Sequence, residues 1–83
     1  MTRRTEPDSR IDARGMRCPW PALQLGRKLR ETGDVPGAMV VIIADDPRAP
    51  GELRAVAMAR GWAEVPSGSA HEFRFVAPER TNG

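Results

Sequence analysis

Ala38-Met39-Val40-Val41-Ile42-Ile43-Ala44 is the longest apolar run in the chain. It is continuous and rich in β-branched side chains, which pack well on a pleated surface. A run of this length and composition reads as a strand largely covered on both faces. Asp45-Asp46-Pro47 ends it. On its N-terminal side Asp34-Val35-Pro36-Gly37 reads as a turn, and Gly33 before it as a left-handed helix C-cap. That cap closes a helix expected from about Pro19 to Thr32. Proline is tolerated in a first helical turn because the N–H it lacks has no partner there. Ala22, Leu25, Gly26 and Leu29 recur at three- and four-residue spacing and form the apolar face. Gln24, Arg27, Lys28 and Glu31 fall mostly on the other side. Gly26 on the apolar stripe points to close packing against a sheet, since a glycine inside a helix costs about 1 kcal/mol relative to alanine.

Further out on the N-terminal side, Ser9 leads into Arg10-Ile11-Asp12-Ala13-Arg14. Polar and apolar residues alternate there, which predicts a short strand with Ile11 and Ala13 on one face. Gly15 permits the sharp turn into the helix. On the C-terminal side, a second helix is expected from near Pro50 to Arg60, with Gly61 beyond its end. Leu53, Val56 and Ala57 give it an inward face. Trp62 to Pro66 reads as a third strand and Ser67-Gly68-Ser69-Ala70 as a hairpin-length turn. Glu72 to Val76 reads as a fourth strand, with Phe73 and Phe75 on one side. The order is β-α-β-α-β-β. Right-handed crossovers put both helices on the same face. The expected fold is α/β in composition: an α+β two-layer sandwich, with a four-stranded mixed sheet and two helices on one face. Residues 1–8 and 78–83 are expected to be flexible tails around a domain spanning 9–77.

Eighty-three residues suffice for one small domain with one two-layer core. No apolar run approaches the ~20 residues of a membrane helix, and no apolar segment follows Arg3 and Arg4, so a cytoplasmic protein is expected. The net charge of +2 hides an asymmetry. Residues 1–30 carry eight Arg or Lys against three acids, and residues 31–83 carry five Arg against eight acids. The basic half reads equally as a solvated face or as an attraction for an acidic surface or a phosphate backbone.

Cys18 lies in that basic half and is the single cysteine. It cannot form an intramolecular disulfide. One cysteine and one histidine fall short of the four ligands of a structural zinc, so neither metal nor cofactor is expected. The run Arg17-Cys18-Pro19-Trp20-Pro21 does not look like a core segment. It places the thiol at the N-terminus of the first helix, where unpaired N–H groups, the helix dipole and the charges of Arg17 and Arg14 are expected to favour thiolate. Pro19 and Pro21 stiffen the backbone around it. Trp20 either packs on its own domain or docks a partner as a part-exposed anchor. A cysteine hydrolase would need a base within reach, and the position of the single histidine, His71, relative to Cys18 is left open. A dithiol enzyme would need a second cysteine. A thiolate with neither can still accept a sulfur atom, hold it as a persulfide and pass it to another thiolate.

The stretch Ile11-Asp12-Ala13-Arg14-Gly15-Met16-Arg17-Cys18-Pro19-Trp20-Pro21 resembles the Leu-Asp-x-x-Gly-x-x-Cys-Pro-x-Pro signature of the TusA/SirA-like sulfur carrier family. The likeness continues through Lys28-Leu29 and Ile42-Ile43-Ala44-Asp45-Asp46-Pro47 to a helix closing on Gly61, and so covers residues 9–77. It implies a small cytoplasmic β-α-β-α-β-β protein that takes sulfane sulfur from a cysteine desulfurase or a rhodanese-like sulfurtransferase. It implies Cys18 as the persulfide carrier, in a motif with Asp12, Gly15, Arg17, Pro19 and Pro21, and a downstream acceptor protein. In some members the sulfur reaches the 2-thio group of a tRNA uridine, and others serve molybdenum cofactor enzymes. The chain departs from the pattern at Ile11 and after Pro47, where it lacks the Asp-Ile-Pro run of the tRNA-thiolating members. Arg14, Trp20, Arg27 and Lys28 are the candidate partner-binding residues.

The carrier reading makes the protein a non-enzymatic relay that acts beside a sulfurtransferase. Neither membrane association nor direct nucleic-acid binding is expected of it. A second reading is a nucleic-acid-binding or regulatory interaction module, which the basic first half permits. With no Tyr and two Phe, stacking platforms for it are few. A third is a thiol enzyme acting alone, such as a peroxidase.

Overall fold

A computed structural model of the chain describes residues 9–33 and 35–78. The expected tails at 1–8 and 79–83, and Asp34 of the expected turn, lie outside the described residues. The elements are β1 (Ser9–Asp12), α1 (Trp20–Thr32), β2 (Met39–Ile43), α2 (Ala49–Ala59), β3 (Ala63–Val65) and β4 (Glu72–Val76). The four strands form one mixed sheet in the order β1-β2-β4-β3. β1 runs parallel to β2, with Ile11 opposite Ile42. β4 runs antiparallel to β2, with Phe73 opposite Ile42, and β3 closes the far edge against β4.

The strand with the strongest apolar run is thus interior to the sheet. Its period of two sends Val40 and Ile42 toward the helices and Val41 to the other side. All three are fully buried. Val40, Ile42, Phe73 and Phe75 from the sheet, Ala22, Leu25 and Leu29 from α1, and Ala49, Leu53 and Ala57 from α2 form one core cluster. Both helices therefore cover the same face, as the crossover rule requires.

α1 begins one residue later than expected, with Pro19 as its N-cap and Pro21 in its first turn. α2 begins at Ala49 and is capped by Arg60. Gly33 has a positive φ of 79° but an extended ψ of 170°, so it is not a left-handed cap. Its N–H still closes the helix on the Leu29 carbonyl at 3.0 Å. Gly26 faces α2 and not the sheet: a Cβ there would lie 3.6 Å from Val56 Cγ1. The third strand is shorter than Trp62–Pro66 because Trp62 turns into the core, where it is 3% exposed. Ser67 organises the following turn, its hydroxyl lying 2.7 Å from the Glu72 carbonyl and 3.1 Å from the Ser69 carbonyl. Among the described residues no helix is long and apolar enough to cross a membrane.

Candidate functional site

Parallel pairing of β1 and β2 makes both strands point the same way, so the loops that follow them leave the same end of the sheet. The Ala13 N–H donates to the Ile43 carbonyl at 2.8 Å, which carries the pairing one residue past β1. Beyond that point two acidic residues after β2 bind the backbone of the loop after β1. The Gly15 N–H donates to Asp45 Oδ1 at 3.0 Å, and Gly15 has the positive φ of 83° that the turn needs. The Cys18 N–H donates to Asp46 Oδ2 at 3.1 Å. The other oxygen of Asp46 accepts the Arg48 N–H at 2.7 Å, so one carboxylate ties the cysteine loop to the entry of α2. These two backbone bonds hold the Asp46 carboxyl below the usual carboxylate range.

Past Cys18 the chain enters α1 through a turn in which the Trp20 N–H donates to the Arg17 carbonyl at 2.9 Å. The Cys18–Pro19 peptide bond is cis. Pro21 is buried and anchors the start of the helix to the core. Cys18 itself is half-buried. It borders an open cleft of about 390 Å³ lined by Arg17, Cys18, Asp46, Pro47 and Arg48.

The charge around the thiol differs from the sequence expectation. Partial burial pushes the Cys18 thiol above the ordinary cysteine value, and the carboxylates of Glu52 and Asp46 push it further. Glu52 lies in the first turn of α2. Arg48 is the cation that opposes this rise. Arg14 does not act on the thiol, because its guanidinium is held by Asp12 at 2.9 and 2.8 Å. That pair lowers the Asp12 carboxyl to about 2. Arg17 lines the cleft, and its charge acts on Asp46. Cys18 is thus favoured as the neutral thiol, and the expectation of a thiolate set up by Arg14 and Arg17 is corrected.

Of the candidate partner-binding residues, Trp20 is 57% exposed. Leu23, one turn along the same face, is 55% exposed, and Met16 in the loop is also exposed. Arg27 continues this face and lies 3.6 Å from Glu31; Lys28 lies 3.3 Å from the same carboxylate. The structure therefore places Trp20 beside the cysteine loop, with Arg27 and Lys28 farther along the helix. His71 is at the same end of the sheet, its carbonyl accepting the Ala44 N–H at 2.9 Å, yet it is not among the groups that act on the thiol. Among the described residues no group of three His, Cys, Asp or Glu side chains is placed to hold a metal ion.

Asp45, Asp46, Arg48, Glu52 and Leu23 are the site residues that reading the sequence missed. The signal for the first four was topological: two parallel strands with right-handed crossovers bring both loops to one end. For Leu23 it was the helical wheel, on which it falls opposite Leu25 and Leu29. A small two-layer domain, a single cysteine on a clamped loop at a helix start, and the run from Asp12 to Pro21 agree with a comparison against family models. Residues 9–77 match the model described as sulfurtransferase TusA, and by that match the chain belongs to the TusA family, whose members act in sulfur relay.

Proposed function

We propose that this chain carries sulfane sulfur as a persulfide on Cys18, receiving it from a donor protein and handing it to an acceptor thiolate. The observation that supports this most is the setting of the one cysteine. It is half-buried at the rim of an open cleft, and its main chain is pinned by Asp46. A carrier sulfur must be reachable by two different partners in turn and must stay in one place between them. A clamped loop on a rigid sheet end satisfies both needs. No second thiol lies in the chain to resolve the persulfide as a disulfide.

In this reading Gly15, Pro19 and Pro21 shape the carrier loop. Asp12 holds Arg14 against its own strand end, and Arg17 gives the cleft its positive side. The exposed apolar surface of Met16, Trp20 and Leu23 beside the thiol is where donor and acceptor dock, with Arg27 and Lys28 at its margin. The test is a transfer assay with ³⁵S-labelled cysteine, a cysteine desulfurase and the full chain. Label on the wild type, absent from Cys18→Ser and chased off by a thiol-bearing acceptor protein, is the expected result. Label that stays on the Cys18→Ser chain would refute the assignment of the carrier.

A further inference from the structure

A thiol that takes up sulfane sulfur changes in charge as well as in length. A persulfide is a stronger acid than its parent thiol, because the second sulfur helps to spread the charge. At neutral pH the loaded chain therefore carries an anion on its outer sulfur. That atom stands about 2 Å beyond the Cys18 sulfur. The open space that Cys18 lines is the cleft it shares with Arg17, Asp46, Pro47 and Arg48. An anion set against the wall of a cleft loses part of its water and needs a counter-charge.

Two of the five lining residues are arginines, and Asp46 opposes them with one negative charge. Each Asp46 oxygen already accepts a backbone N–H, from Cys18 at 3.1 Å and from Arg48 at 2.7 Å. One carboxylate thus grips the main chain of residues 18 and 48 and fixes their spacing. Arg14, Arg27, Arg54 and Arg74 are each paired with a carboxylate. Among the described residues no such ion pair takes up Arg17 or Arg48. Arg17 is divided between this cleft and the neighbouring one beside Gly15 and Met16. Arg48 is exposed and lines the Cys18 cleft but not its neighbour.

We propose that Arg48 is the counter-charge of the loaded state, its guanidinium pairing with the anionic outer sulfur of the Cys18 persulfide. This rests on the carrier reading above. No covalent bond changes between the two residues, and the proton that the persulfide gives up goes to water. A persulfide passes on its outer sulfur when a thiolate attacks that atom, and an anion there repels the attacker. Pairing with Arg48 therefore keeps the sulfur on the chain against stray small thiols.

The test loads Cys18 chemically, so that donor recognition plays no part. The full chain is converted to its 2-thiopyridyl mixed disulfide. Hydrosulfide then attacks the Cys18 sulfur, pyridine-2-thiolate leaves with the electron pair, and one persulfide remains on Cys18. The near-ultraviolet absorbance of the persulfide anion is followed against pH, with circular dichroism to establish folding. Wild type is compared with Arg48→Gln, Arg48→Lys and Arg30→Gln, the last a control on α1 outside the cleft. Arg48→Gln is expected to raise the midpoint by about one unit, the lower end of what a nearby opposite charge supplies. At a pH above both midpoints that is about tenfold more neutral persulfide, and about tenfold faster loss of sulfur to glutathione. Arg48→Lys keeps the charge and should titrate near wild type, as should Arg30→Gln. A merely structural residue would not separate Gln from Lys in this way. Arg48→Met, uncharged and of similar length, carries the test should Arg48→Gln fail to fold. If the folded uncharged variant titrates as wild type does, the proposal is overturned while the carrier reading stands. A shift in Arg48→Lys or Arg30→Gln as large as that in Arg48→Gln overturns it as well. If wild type gains no sulfur from either a desulfurase or a rhodanese-type donor, the carrier reading falls and this proposal falls with it.

Discussion

Gly26→Ala should stabilise the protein, and the structure gives the size of the gain. Gly26 lies in the interior of α1, where glycine costs about 0.8–1.0 kcal/mol relative to alanine because the unfolded chain has more backbone freedom to lose. Whether that gain is realised depends on what the new methyl group meets. A Cβ at this position would lie 3.6 Å from Val56 Cγ1 and 4.0 Å from Arg30 Nη1. Both are ordinary van der Waals separations, so no strain term offsets the propensity gain. The expected stabilisation is about 1 kcal/mol, or roughly 4–8 °C in Tm for a domain of this size. The assay is thermal and urea unfolding followed by circular dichroism, with an unchanged m-value as the sign that only stability has moved. Because the added methyl makes ordinary contacts only and displaces neither helix, sulfur loading should be unaffected. A Tm equal to or below that of wild type would mean that the two helices leave no room for a methyl group.

Two further outcomes follow from the charges at the sheet end. Asp12 should titrate at about 2 in the folded protein, below the unfolded 3.8, because of its bonds from Arg14. A carboxyl depressed in this way adds stability above pH 3.8 that is lost as pH falls through 2. Carboxyl NMR on wild type and Arg14→Ala checks this, and a wild-type midpoint near 4 contradicts it. Cys18 should ionise above the ordinary 9.0, with burial the largest cause and Glu52 the next. The folded state then prefers the neutral thiol, and the stability it adds is present below that value and lost as pH rises through the folded pKa. Iodoacetamide alkylation against pH reads the midpoint directly, and a midpoint below 9.0 would contradict the arrangement of carboxylates described here.

Much of the fold was legible because it rests on short-range pattern. The continuous run from Ala38 to Ala44 read as a strand covered on both faces, and the stripe of Ala22, Leu25 and Leu29 read as an apolar helix face. The order of elements and the handedness of crossovers then placed both helices on one side. Cys18 was legible as the centre of the candidate site because it is the single cysteine and stands at a helix start.

Its electrostatics were not legible, and the reason is physical. Arg14 and Arg17 are close to Cys18 along the chain, but chain proximity does not decide where a flexible guanidinium goes. Asp12, two residues from Arg14, takes that charge in a two-toothed ion pair. The groups that do act on the thiol come from the next crossover, Asp46 at a separation of 28 residues and Glu52 beyond it. Gly26 shows the same limit in packing. Its place on the apolar stripe was readable, but which neighbour it faces depends on the angle between α1 and α2, which no local pattern encodes.

Uptake of one sulfur atom by Cys18 is read directly by intact mass spectrometry. The full chain is incubated with a cysteine desulfurase, pyridoxal phosphate and L-cysteine without reductant, beside the Cys18→Ser variant. Wild type alone is expected to gain the mass of one sulfur atom, and a thiol reductant to reverse the gain. A wild-type chain that stays at its original mass with both a desulfurase and a rhodanese-type donor, while Cys18 still reacts with iodoacetamide, would contradict it.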